Sequence, residues 1–152
     1  MLALVALGSN LGHRDAILRD ALAGLARVPQ SRLLRASRFH ETAPERAGDG
    51  PPFLNAAALL QTRLSSADLL EQLLILERRT GRTRIPGAPR GPRTLDLDLI
   101  LHGQRRSLHA SLEVPHPRFR ERAFVLEPAA EVAPTLVDPL TGLSLRQLSR
   151  RL

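Results

Sequence analysis

Two acidic side chains two positions apart, Asp96 and Asp98, are the first residues here whose spacing could do chemistry. They alternate with Leu95, Leu97 and Leu99 in the run LDLDLIL (95–101), and such alternation predicts a strand. In a strand, residues i and i+2 leave the same face, about 7 Å apart. Two like charges at that distance repel unless a cation lies beside them. Hard divalent ions take oxygen ligands, and Mg²⁺ commonly uses one or two carboxylates plus substrate phosphates. A bare D-x-D on a strand is more often an ordinary solvated face, so the neighbours decide.

The segment directly upstream, GRTRIPGAPRGPRT (81–94), carries Arg82, Arg84, Arg90 and Arg93 among three glycines and three prolines. No periodic structure suits it. It reads as a long loop of the kind that is usually functional. Arginine forks bind phosphate oxygens bidentately, and phosphoryl-type transfer depends on positive charge around the phosphates. Any one of these arginines alone reads equally well as an idle surface charge. Arginines upstream and carboxylates downstream together suggest an Mg-nucleotide site. Phe53 and Asn55 share a strand face by the same period of two, and an aromatic beside an amide can stack on and hydrogen-bond a planar heterocycle. Taken alone, a core Phe and an edge Asn is the better reading of that pair. His116, in VPHP (114–117), either contacts phosphate or caps a turn, and alone the turn is favoured. GSNLG (8–12) is not a dinucleotide-binding fingerprint; a tight turn with a helix cap suits it better.

These residues need elements to place them. Residues 2–8 form a buried-strand pattern ending at Gly8, and a helix follows over about 13–27, with Ile17, Leu18, Ala21, Leu22 and Leu25 at helical spacing. A second strand is expected over 32–41 and a third over 53–62. A helix from the Ser65/Ser66/Asp68 cap runs to about 80, and the aspartate strand comes fourth. Beyond it the sequence predicts a turn at 102–104, a short helical stretch around 118–123 and a closing helix near 144–152. The order β-α-β-β-α-β is that of the ferredoxin-like α+β fold, an antiparallel sheet with helices on one face, plus C-terminal additions. A single domain over 1–152 is expected.

Composition narrows the chemistry. The 152 residues carry a net charge of +7 and no cysteine, so thiolate chemistry, disulfides and cysteine metal sites are excluded. All 22 basic residues are arginine. The lysine-dependent phosphate loop, the protein-kinase strand lysine and Schiff-base catalysis are therefore excluded too. The basic balance implies a polyanionic partner, either nucleotide phosphates or nucleic acid. With four Phe and no Tyr or Trp, base-stacking platforms for nucleic acid are scarce. No apolar run reaches the roughly 20 residues that span a bilayer, and MLALVALGSN is too short for a signal peptide. These features favour a cytoplasmic protein that binds neither membrane nor nucleic acid.

Four motifs in order, GSNLG (8–12), FLNAA (53–57), GPRTLDLDLIL (91–101) and VPHPRFRERAFVL (114–126), resemble the 6-hydroxymethyl-7,8-dihydropterin pyrophosphokinase family of folate biosynthesis over nearly the whole chain. The resemblance implies a monomer, two Mg²⁺ ions, and transfer of the β,γ-diphosphate of ATP to a reduced pterin with release of AMP. It further implies that Asp96 and Asp98 are the metal ligands. Thr42, Phe53, Asn55 and Phe124 fall at positions around the pterin. Glu77, Arg84, Arg93, His116 and Arg122 fall around ATP, and Arg82 matches a loop arginine linked to turnover, with Arg82 and Arg93 counted as catalytic. Leu74, Arg90 and Ala43 depart from the residues usual in the family. The rival reading is a ferredoxin-like module that binds nucleotide or RNA without turnover; paired aspartates on the sheet argue against RNA, because they would repel phosphate.

Overall fold

Strand β1 (Leu2–Ser9) is an apolar run that continues through Gly8 and Ser9, and it takes an inner position in the sheet. It is followed by α1 (Arg14–Leu25), β2 (Ser31–Ala36), β3 (His40–Thr42), β4 (Phe53–Thr62), α2 (Ser66–Arg79) and β5 (Asp96–His102). A small hairpin of β6 (Ser107–His109) and β7 (Leu112–Val114), a short 3-10 helix (Phe119–Glu121), α3 (Ala123–Val132) and α4 (Leu145–Arg150) complete the chain. This computed structural model describes residues 1–10, 12–43, 52–80, 95–109 and 112–152. The readings placed on 44–51 and 81–94, including Arg82, Arg84, Arg90 and Arg93, lie outside the described residues.

The main sheet has the order β2-β4-β1-β5, with β3 also paired to β4, and every pairing is antiparallel. Each βαβ unit thus has one strand inserted between its own two, which is the ferredoxin-like split arrangement. Helix α2 begins where Ser65 accepts a hydrogen bond from the Asp68 amide, as the capping pattern predicts. Helix α1 starts at Arg14, close to the expected start near 13, with His13 and not Ser9 or Asn10 at its N-cap, because Ser9 stays in the strand. Gly24 lets the two helices approach: a Cβ there would lie 2.5 Å from Leu76 Cδ2.

Alternation along the strands sorts the core into two clusters. Ala3, Val5, Leu7, Ala56, Ala58, Leu60, Leu97 and Leu99 face α1 and α2. Leu4, Ala57, Leu59, Ile100 and Leu101 face the other way, against Phe119, Val125, Leu126, Ala129, Leu145 and Leu148. Helices therefore cover both faces, not one as the sequence suggests. The second cover is α3 with α4; the sequence reading missed α3, as it missed the β6–β7 hairpin. Helix α3 carries Pro128 inside it and no side-chain N-cap, so the usual start signal is absent and a stop signal is present. The predicted strand 32–41 is two strands. It breaks at Ser37, whose N–H donates to the Ala57 carbonyl and whose hydroxyl accepts from the Ala57 N–H.

A buried ion pair fixes the C-terminal cover. Asp138, wholly buried, accepts from Arg120 Nε at 2.6 Å and Arg120 Nη2 at 2.9 Å, from the Leu140 amide and from the Thr141 hydroxyl. Burial pushes this carboxyl up, but the Arg120, Thr141 and Leu140 hydrogen bonds outweigh it and hold the group below its ordinary range.

Candidate active site

On the second sheet face the registers align a row of side chains. Asp96 lies opposite Gly8, Gly8 opposite Asn55, and Asn55 opposite His40, so four strands contribute to one line. In the next row Asp98 lies opposite Ala6, and Ala6 opposite Ala57. Directly paired residues share a face. The two carboxylates and the Asn55 amide therefore stand on one floor, two strand spacings apart or roughly 10 Å. Leu95, Leu97 and Leu99 are buried on the other face, as the period of two predicts, while Asp96 and Asp98 are half-buried.

Only small residues lie between acid and amide. A Cβ on Gly8 would come 3.2 Å from Asn55 Oδ1 and 3.6 Å from Phe53 Cδ1, so the absence of a side chain there keeps the floor open. Thr42 pairs with Phe53, and its hydroxyl accepts from Asn55 Nδ2 at 2.6 Å. That bond fixes the orientation of the buried Asn55 amide. From the cover, Phe124 packs against the cluster that includes Ala57 and Ala6, and the Arg122 guanidinium lies 5.6 Å from the Phe124 ring centroid.

His116 enters beside β5, its N–H donating to the Ile100 carbonyl at 2.9 Å after the cis Val114–Pro115 bond. Burial lowers the pKa of this histidine, the Arg122 charge lowers it further, and Asp96 pulls the opposite way. The three groups thus feel one another. Glu77 reaches the same strand from α2: nearly fully buried, its Oε2 accepts from the Leu97 N–H at 2.7 Å. Leu97 sits between the two aspartates, so this carboxylate closes an edge hydrogen bond of the strand that carries them.

Thr42, Phe53, Asn55, Asp96, Asp98, His116, Arg122 and Phe124 thus gather on or over one sheet face, with Glu77 behind the strand edge. Arg82, Arg84 and Arg93 are outside the described residues. Sequence reasoning passed over Gly8 as a floor residue and His40 at its end, because register pairing across four strands leaves no local pattern. It also passed over Glu131, because α3 was not recognised. Among the described residues no three of His, Cys, Asp and Glu converge as a metal cage. Two carboxylates on one open face instead fit a Mg²⁺ ion whose remaining ligands come from phosphates and water.

Fold and floor define an α+β transferase domain with an acidic pair at one end of a sheet row and Phe53 with the Asn55 amide at the other. The family model for 7,8-dihydro-6-hydroxymethylpterin-pyrophosphokinase (HPPK) matches residues 4–134, and the chain belongs to that family. It is 41% identical over 149 residues to the 2-amino-4-hydroxy-6-hydroxymethyldihydropteridine pyrophosphokinase of Synechocystis sp., covering 96% of this chain and 73% of that protein. It is 42% identical to the enzyme of the same name from Pseudomonas aeruginosa, covering 89% and 82%. The folic acid synthesis protein fol1 of Pneumocystis carinii is 38% identical over 93% of this chain, which spans only 19% of that longer protein. Among solved structures, HPPK-DHPS of Plasmodium falciparum superposes with a TM-score of 0.75 over 99% of this chain and 42% of the other, at 11% identity. That likeness speaks to the fold alone.

Proposed function

We propose that this chain transfers the β,γ-diphosphate of ATP to the hydroxymethyl group of 6-hydroxymethyl-7,8-dihydropterin, releasing AMP, as a single-domain monomer in the cytoplasm. The observation that carries the reading is the floor row: paired carboxylates at one end, the Thr42-oriented Asn55 amide and Phe53 at the other, with small residues between. Such a floor can bind a triphosphate and a flat heterocycle end to end.

In this reading the pterin lies between Phe53 and Phe124, its polar edge read by Asn55 and by the backbone near Thr42. Asp96 and Asp98 would hold two Mg²⁺ ions, which when bound neutralise phosphate charge and align the triphosphate. His116 and Arg122 face the nucleotide from the cover. Arg84 and Arg93 add positive charge from the loop, and Arg82 assists turnover. Glu77, placed around ATP by family resemblance, acts here through the strand edge it closes. The hydroxymethyl oxygen attacks the β-phosphorus in line, and AMP leaves. A loose transition state spares the site a strong general base. No described helix is long and apolar enough to cross a membrane, and the paired aspartates on the sheet disfavour nucleic acid as a partner.

Incubation with Mg-ATP and 6-hydroxymethyl-7,8-dihydropterin tests the reaction class. AMP and a pterin diphosphate are expected in equal amounts. ADP would mean monophosphoryl transfer and contradict the proposal. Nucleotide binding without either product would favour the module without turnover.

A further inference from the structure

One charged cluster on this sheet face is left unused by the reaction outlined above. Glu131 of α3 accepts from Arg38 Nε at 3.1 Å, from His40 Nε2 at 3.2 Å, and from the Arg38 N–H. Its side chain is 28% exposed and that of His40 is 22% exposed. Burial pushes the Glu131 carboxyl up, but the hydrogen bonds from Arg38 and His40 outweigh it, and the group stays ionised below its usual range. Three donors converge on one carboxylate and orient it, although the Arg38 side chain is 83% exposed.

The location matters more than the strength. His40 is the floor residue paired with Asn55, and Thr42, two residues on, pairs with Phe53. Glu131 lies seven residues after Phe124 on the same helix. Seven residues are nearly two full turns, about 10.5 Å along the axis, so both side chains leave the same side of α3. The helix face held to β3 is therefore the face that presents Phe124.

We propose that Glu131 is a positioning residue for the pterin: by tying α3 to His40 and Arg38 at the end of the floor, it fixes the rotation of the helix and hence the gap between Phe124 and Phe53. The inference rests on the proposed pterin site. Exposed ion pairs add little to stability, so the clamp acts on geometry and leaves the melting temperature nearly unchanged. It has no connection to the aspartate end, so nucleotide binding is insensitive to it.

The test is steady-state kinetics on the wild type, Glu131→Gln, His40→Gln and the double variant, with melting temperatures. Glu131→Gln should raise KM for the pterin roughly fivefold to tenfold, a change of the size expected for one lost orienting interaction. KM for ATP should stay within about twofold. His40→Gln should shift the same constant by less, and the double variant should be no worse than Glu131→Gln, because both act through one clamp. An equal rise in both KM values, an unchanged pterin KM, or additive effects in the double variant would overturn the assignment; additivity would mean that His40 touches the pterin itself. If Glu131→Gln does not fold, His40→Gln alone must show the split between substrates, and its absence overturns the proposal. A wild type that forms no AMP sinks the pterin site first, and the clamp's role with it.

Discussion

At its N-terminal end β5 carries Asp96 and Asp98, half-buried beside Ala6 and Gly8; at its C-terminal end the same strand carries His102, fully buried against Ser66 of α2. Strict alternation would put residues 96, 98, 100 and 102 on one face. The register shifts between Leu4 and Val5, where Leu4 pairs with Leu101 and Val5 with Leu99, so one residue is spent in a bulge. His102 then pairs with Ala3 and turns to the α2 side, as a one-residue slip requires. The bulge separates the two kinds of polar residue, the acids toward an open floor and the histidine into the packed layer. His102 spends its Nδ1 on Ser66 and leaves Nε2 buried without a hydrogen-bond partner, a group that serves packing, whereas the half-buried acids stand in a row beside small residues.

The sharpest way to break this comparison is at the acidic end. Asp96→Ala should lower the rate of AMP formation by orders of magnitude with Mg²⁺ supplied, while the protein stays folded, because the residue is only half-buried on an edge strand. Near-normal turnover would remove the aspartates from the chemistry.

Asp138→Ala should do the reverse. It strands Arg120, which can still reach water, so the loss of stability is expected at roughly 3 kcal/mol, the lower end of the range for breaking a buried pair. Denaturant melts check this, and what remains folded should turn over with a nearly normal KM for ATP.

At the far end, burial lowers the pKa of His102, and the Arg105 and N-terminal charges lower it further. The unfolded chain therefore takes up the proton more readily than the folded one. The stability His102 contributes is present above the ordinary value of 6.5 and is lost as pH falls below it. His116 acts with the same sign, whereas Asp138 and Glu131 lose their contribution only in the lower carboxylate range. His102→Leu should cost about 1–3 kcal/mol, since it leaves Ser66 without its partner. It should also flatten the decline of stability below pH 6.5, as urea melts across pH would show, without altering kcat. The mildest change is Gly8→Ala. Its Cβ presses on Asn55 and Phe53 and should raise the pterin KM a few-fold while leaving KM for ATP alone.

Much of the acidic end is legible in the sequence because its signals are local. LDLDLIL shows its alternation directly, the Ser65–Asp68 cap marks where α2 begins, and β4 runs over the expected residues 53–62. The far end is less legible. HGQ reads as a turn, yet His102 is the last strand residue and only Gly103 and Gln104 turn, because a bulge is set by the neighbouring strand and not by the residues themselves. The proposed pterin wall is the least legible part. Pro128 and the missing cap disguise α3, and the line from Asp96 through Gly8 and Asn55 to His40 exists only once four strands have found their register. Phe124 enters the proposed site through family resemblance alone, and no sequence signal points to Glu131.

The account turns on Asp96 and Asp98 gripping divalent metal together with the nucleotide. Electron paramagnetic resonance of Mn²⁺, in the presence of a non-hydrolysable ATP analogue, measures that directly. The wild type should immobilise close to two Mn²⁺ per chain, and the Asp96→Ala/Asp98→Ala double variant should leave the ion signal like that of the free nucleotide complex. Equal immobilisation by both proteins would show that the metal is held elsewhere and would contradict the account.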